Sequence, residues 1–89
     1  MTALAASILV VDDEPDLRTL YELTLLREGY RVATAGTLQE ARALLQTQRF
    51  DVLISDMRLP DGFGMELLQE LQLQQRPERS ASTAFSAEP

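Results

Sequence analysis

The 89-residue chain contains no cysteine, no histidine and no lysine. Without cysteine there is neither a disulfide framework nor a thiolate that could serve as nucleophile or metal ligand, and without histidine there is no imidazole ligand and no phosphohistidine site. All eight basic residues are arginines, set against fourteen acids, for a formal net charge of −6. That balance offers no basic surface to nucleic acid or to anionic lipid. The apolar start, Met1 to Val11, lacks a basic leader and is too short to span a bilayer, so it reads as a first strand behind a loose leader, with no membrane partner. A cytoplasmic location is the expectation. The length allows one small domain with a single core.

What the chain does have is two acidic sites, each at the end of a short apolar run. Ile8-Leu9-Val10-Val11 breaks off at Asp12-Asp13-Glu14-Pro15, and Val52-Leu53-Ile54-Ser55 breaks off at Asp56-Met57-Arg58-Leu59-Pro60-Asp61-Gly62. Runs of this length, rich in Ile, Val and Leu and bounded by breakers, suit buried parallel strands, with a short buried helix as the alternative. Pro15 favours strand, turn, helix, because the N–H it lacks is one that the first helical turn leaves unpaired anyway. If the two runs are neighbouring parallel strands, Asp12, Asp13 and Asp56 meet at the sheet rim where open α/β folds place ligands. Clustered carboxylates repel, and a divalent cation relieves the repulsion. Oxygen ligands without His or Cys point to Mg²⁺ or Mn²⁺. The spacing is not that of an EF-hand, whose alternating acids and central Gly are missing.

The periodicity predicts a helix over 15–28, with Leu17, Leu20, Tyr21, Thr24 and Leu25 on its inner face and Gly29 as its stop. Residues 31–35 form a weak second strand. Thr37 and Glu40 then have the spacing of a capping box opening a helix that runs to about residue 48, with Leu38, Ala41, Leu44 and Leu45 apolar. A third strand is expected over 51–55. The Leu59-Pro60-Asp61-Gly62 stretch is a turn by its own chemistry and carries no catalytic assignment. A third helix is expected over 65–74, through Leu67, Leu68 and Leu71. The order is βαβαβα, which argues parallel pairing with right-handed crossovers. Residues 1–75 make the folded part, and 76–89, rich in Ser and Ala, a loose tail.

The Val11-Asp12-Asp13-Glu14-Pro15 turn, the aspartate at the end of the third strand and the Met57-to-Gly62 segment after it occur in order, with two amphipathic helices and a strand between them. Over residues 7–73 this resembles the receiver (response-regulator) domain of bacterial two-component signalling. The Met57-to-Gly62 wording is similar to receivers of the nitrogen-regulator class, which precede an ATPase and a DNA-binding module. The resemblance implies a partial flavodoxin-like α/β fold with a three-stranded parallel sheet of order 2-1-3, cut off after the third helix. It implies a phosphoacceptor module, not an enzyme, in which Asp56 takes a phosphoryl group from a sensor histidine kinase as its partner. Asp13, Asp56 and the backbone carbonyl of Met57 would bind the Mg²⁺ directly, and Asp12 mainly through water.

The same resemblance makes 76–89 a candidate remnant of the fourth strand, with Thr83 before Ala84 at about the distance of the family's switch hydroxyl. The stretch Arg79-Ser80-Ala81-Ser82 is not the apolar run of a central strand. The family carries a Lys on its fifth strand that pairs with the phosphoryl group, and this chain has none, so an impaired output switch is expected. The alternative is a truncated, non-signalling oligomeric interaction fragment. A haloacid-dehalogenase-like phosphatase also uses a strand-end Asp, but its Asp-x-Asp pattern is absent. With its third strand at an open edge, the chain is expected to self-associate.

Overall fold

The computed structural model describes residues 5–74 and 82–86. In chain order the elements are β1 (Ser7–Val11), α1 (Pro15–Arg27), β2 (Arg31–Ala35), α2 (Leu38–Thr47), β3 (Val52–Asp56), β4 (Arg58–Leu59), β5 (Gly62–Phe63), α3 (Met65–Gln74) and β6 (Ser82–Ser86). β1 pairs parallel with β2 on one side, Ile8 opposite Val32 and Val11 opposite Ala35, and with β3 on the other, Leu9 opposite Leu53 and Val11 opposite Ser55. The chain steps from β1 out to β2, then back across β1 to β3. Right-handed crossovers taken in opposite directions place α1 on one face of the sheet and α2 with α3 on the other. Ile8 to Val11 are accordingly buried on both faces, which explains why that run is apolar without alternation.

Leu9, Val11, Ala35 and Leu53 from the strands pack with Leu38 and Ala41 of α2, Leu59 of β4 and Leu67 of α3 to form the core. α2 opens as a Ser/Thr-capped helix should. The Thr37 side chain accepts a hydrogen bond from the Glu40 N–H at 3.1 Å. Glu40 does not close the box on Thr37; its Oε1 accepts from the Gly36 N–H at 2.7 Å. Among the described residues no helix is long and apolar enough to cross a membrane.

The structure corrects three further expectations. The sheet holds the order 2-1-3 but has a fourth strand, β6, paired parallel with β3 along its whole length, giving β2-β1-β3-β6. Among the described residues β6 lies at the edge and is bonded on one side, so the continuous apolar run of a two-faced central strand is not required of it. The open edge therefore passes from β3 to β6; residues 76–81 and 87–89 of the expected tail, with residue 75 of the expected folded part, lie outside the described residues. β3 is displaced by one residue, to 52–56, because Asp51 precedes the ladder and accepts from the Ser7 N–H at 2.8 Å through its carboxylate. On α1, Leu17, Tyr21 and Leu25 are half-buried as expected, but Leu20 is 57% exposed and Thr24 is exposed. Leucines also at 23 and 26 make this helix apolar on two sides, so spacing alone selects no inner face. The turn expected over Leu59-Pro60-Asp61-Gly62 is present, and it closes an antiparallel hairpin of β4 with β5 through Pro60 and Asp61.

Candidate metal centre

Asp12 follows β1 and is 2% exposed. Its N–H donates to the Ala35 carbonyl at 3.0 Å, continuing the β1–β2 ladder past the strand end. Its Oδ1 accepts from the Glu14 N–H at 2.9 Å, which bends the chain into the Pro15 start of α1. Its carbonyl accepts from Arg18 Nη1 at 2.9 Å. The guanidinium is admitted by Gly36, since a Cβ there would lie 2.6 Å from Nη1. Asp13 is exposed beside Asp12, and Asp56 is half-buried at the end of β3.

One carboxylate oxygen from each of Asp12, Asp13 and Asp56 lies within 4.8 Å of the other two. Octahedral Mg²⁺ with oxygens at about 2.1 Å sets opposite ligands about 4.2 Å and adjacent ligands about 3.0 Å apart, so the three acids would close on a hard cation by moving inward. The position is the C-terminal rim between β1 and β3, where the winding of the sheet reverses direction. All three sequence-predicted acids are thus brought together.

Met57 follows Asp56, and its carbonyl oxygen accepts from the Gly64 N–H at 2.9 Å, closing the base of the β4–β5 hairpin and leaving a second lone pair for another partner. At the tip, Asp61 Oδ1 accepts from the Leu38 N–H at 2.8 Å and Oδ2 from the Gln39 N–H at 3.0 Å. These are first-turn donors of α2 that have no partner within the helix. The hydrogen bond from Leu38, with that from Gln39 behind it, holds the Asp61 carboxyl below the usual carboxylate range. Thr83 is register partner to Leu53; Asp56 is partnered by Ser86.

Sequence reasoning missed Asp61 as a cap and Arg18 as a brace. Pro60-Asp61-Gly62 signals a turn, but the donors Asp61 serves lie 22 and 23 residues away, outside any local pattern.

The family model for the response regulator receiver domain matches residues 8–89. The response regulator protein PilR of Pseudomonas aeruginosa is 50% identical over 64 residues, covering 72% of this chain and 14% of that protein. The alginate biosynthesis transcriptional regulatory protein AlgB of the same organism is 42% identical over 67 residues, covering 75% of this chain and 15% of that protein. The chain therefore spans about one-seventh of the length of these curated relatives. Among solved structures, the chemotaxis response regulator CheY4 of Vibrio cholerae superposes with a TM-score of 0.85 at 32% identity, over 97% of this chain and 73% of that one. The non-phosphorylated HemR receiver domain of Leptospira biflexa gives 0.80 at 32% identity, over 90% and 62%.

Proposed function

This chain belongs to the response regulator receiver domain family, and from that premise we propose that it accepts a phosphoryl group on Asp56 from a sensor histidine kinase in the cytoplasm. The observation that carries the reading is the convergence of Asp12, Asp13 and Asp56 within 4.8 Å at the rim between β1 and β3. A carboxylate oxygen of Asp56 attacks phosphorus, the bond to the donor's leaving nitrogen breaks, and an acyl phosphate results. Asp12, Asp13 and Asp56, with the Met57 carbonyl, would hold Mg²⁺. Charge developing on the phosphoryl oxygens is neutralised there when the cation is bound. Asp12 is kept in place by its bonds to Ala35, Glu14 and Arg18, so its position does not have to be established at the moment of transfer.

The Met57-to-Gly62 wording supports the nitrogen-regulator class. The 89 residues contain no lysine, so the ammonium group that the family carries on its fifth strand to pair with the phosphoryl group is not among them. Self-association through the outward edge of β6 belongs to the same reading, because an edge strand offers unpaired backbone to another chain. Light scattering across a concentration series tests it, and a strictly monomeric species contradicts it. Incubation with acetyl phosphate and Mg²⁺ tests the central claim. One phosphoryl adduct, stable in acid and labile in base, is expected, and Asp56→Asn removes it. An adduct on another residue, or none in the presence of Mg²⁺, overturns it.

A further inference from the structure

Resting on the metal reading above, we propose that Asp61 is a positioning residue for the metal centre: by clamping the tip of the β4–β5 hairpin to the first turn of α2, it fixes the Met57 carbonyl beside Asp56. The hairpin has two residues in each strand and two in its loop, too little to hold a shape by itself. Its direction is set from outside. Leu59 is buried in the core, the Phe63 N–H donates to Glu66 Oε2 at 2.9 Å, and the Asp61 carboxylate takes both α2 donors. Hydrogen bonds to an ionised acceptor are short and strong, and two of them from adjacent amides define an orientation as well as a distance.

The anchor is itself immobile, since Leu38 is fully buried. The same turn of α2 reaches the other half of the centre. Glu40 holds the Gly36 N–H, and Gly36 is the place where Arg18 lodges to hold the Asp12 carbonyl. The start of α2 is therefore a common reference for Asp12 on one side and Met57 on the other, although none of its own side chains belongs to the acidic cluster. Loss of Asp61 frees the hairpin tip, and the Met57 carbonyl moves with it.

The test is Mg²⁺ titration of the full chain, followed by calorimetry and by the amide resonances of Met57 and Gly64. Asp61→Ala is expected to weaken Mg²⁺ about tenfold, the lower end of the effect of removing an outer-shell partner, and to speed hydrogen exchange at Gly64. Asp61→Asn keeps one acceptor oxygen and gives a smaller loss, which covers the case in which the alanine variant does not fold. Thr47→Ala, at the far end of the same helix, removes the hydroxyl's hydrogen bonds to the Ala43 and Leu44 carbonyls and should leave Mg²⁺ affinity unchanged. Wild-type affinity in both Asp61 variants, or an equal loss in Thr47→Ala, overturns the proposal. A wild-type chain that binds no Mg²⁺ overturns the metal reading itself, a separate result.

Discussion

Asp56 and Ser86 are register partners across β3 and β6, at the C-terminal end of that ladder, while Thr83 pairs with Leu53 three positions earlier. The residue at the register position of the acceptor is thus Ser86. Ser86→Ala is expected to alter the amide shifts that follow phosphorylation of Asp56 by acetyl phosphate, and Thr83→Ala to leave them as in wild type. The reverse pattern in two-dimensional NMR would return the role to Thr83.

Acid should act through Asp61. Its carboxyl is held below its ordinary value by the Leu38 and Gln39 N–H groups, so its contribution to folding is complete above the unfolded value of about 3.9 and fades as pH falls through the lower folded value. Asp61→Asn should therefore melt below wild type at pH 7, with the gap narrowing below about pH 4. Thermal melts at both pH values measure it; a gap that widens in acid contradicts the assignment.

Where information was local, the sequence was a good guide. The weak Arg31–Ala35 strand, the Met65–Gln74 helix read from 3.6-residue spacing and the Thr37 cap read from side-chain chemistry stand at the expected residues. The acidic cluster was legible because each carboxylate ends an apolar run, and parallel pairing then brings the ends together. What escaped depends on the tertiary arrangement. The inner face of α1 is ambiguous in a helix with leucines on two sides, and the partners of Asp61 and Arg18 lie on other elements. β6 has no apolar run to announce it, since among Ser82–Ser86 only Phe85 is large and apolar.

Arg42 joins α2 to α3. Its Nε and Nη2 donate to both oxygens of Glu70 at 2.7 to 3.0 Å, and Nη2 also reaches Glu66 at 3.2 Å. These side chains are 38 to 41% exposed, so solvent and salt screen the pair and its worth is under about 1 kcal/mol. Arg42→Ala should lower the urea midpoint slightly in low salt and hardly at all in 1 M NaCl. A loss that is large and unaffected by salt would point to packing by the arginine stem.

Two glycines with positive φ should respond differently to substitution. Gly29, at φ +98, ends α1 by donating to the Leu26 carbonyl, and a Cβ there would meet nothing within 4 Å. Gly29→Ala should cost about 1 kcal/mol, the penalty of left-handed backbone alone. Gly62, at φ +150, lies where a Cβ would fall 2.6 Å from both Glu66 Oε2 and Leu38 Cδ1. The Glu66 carboxylate can swing aside, but Leu38 is fully buried and has no room to retreat. Gly62→Ala therefore adds a steric conflict at the joint between hairpin and α2 to a backbone strain of about 1–3 kcal/mol. Urea unfolding should rank Gly62→Ala well below Gly29→Ala, and the Gly62 variant should also lose Mg²⁺ affinity, because the displaced hairpin carries Met57. Equal midpoints for the two variants would mean that the hairpin rides on α2 more loosely than the contacts at Gly62 imply.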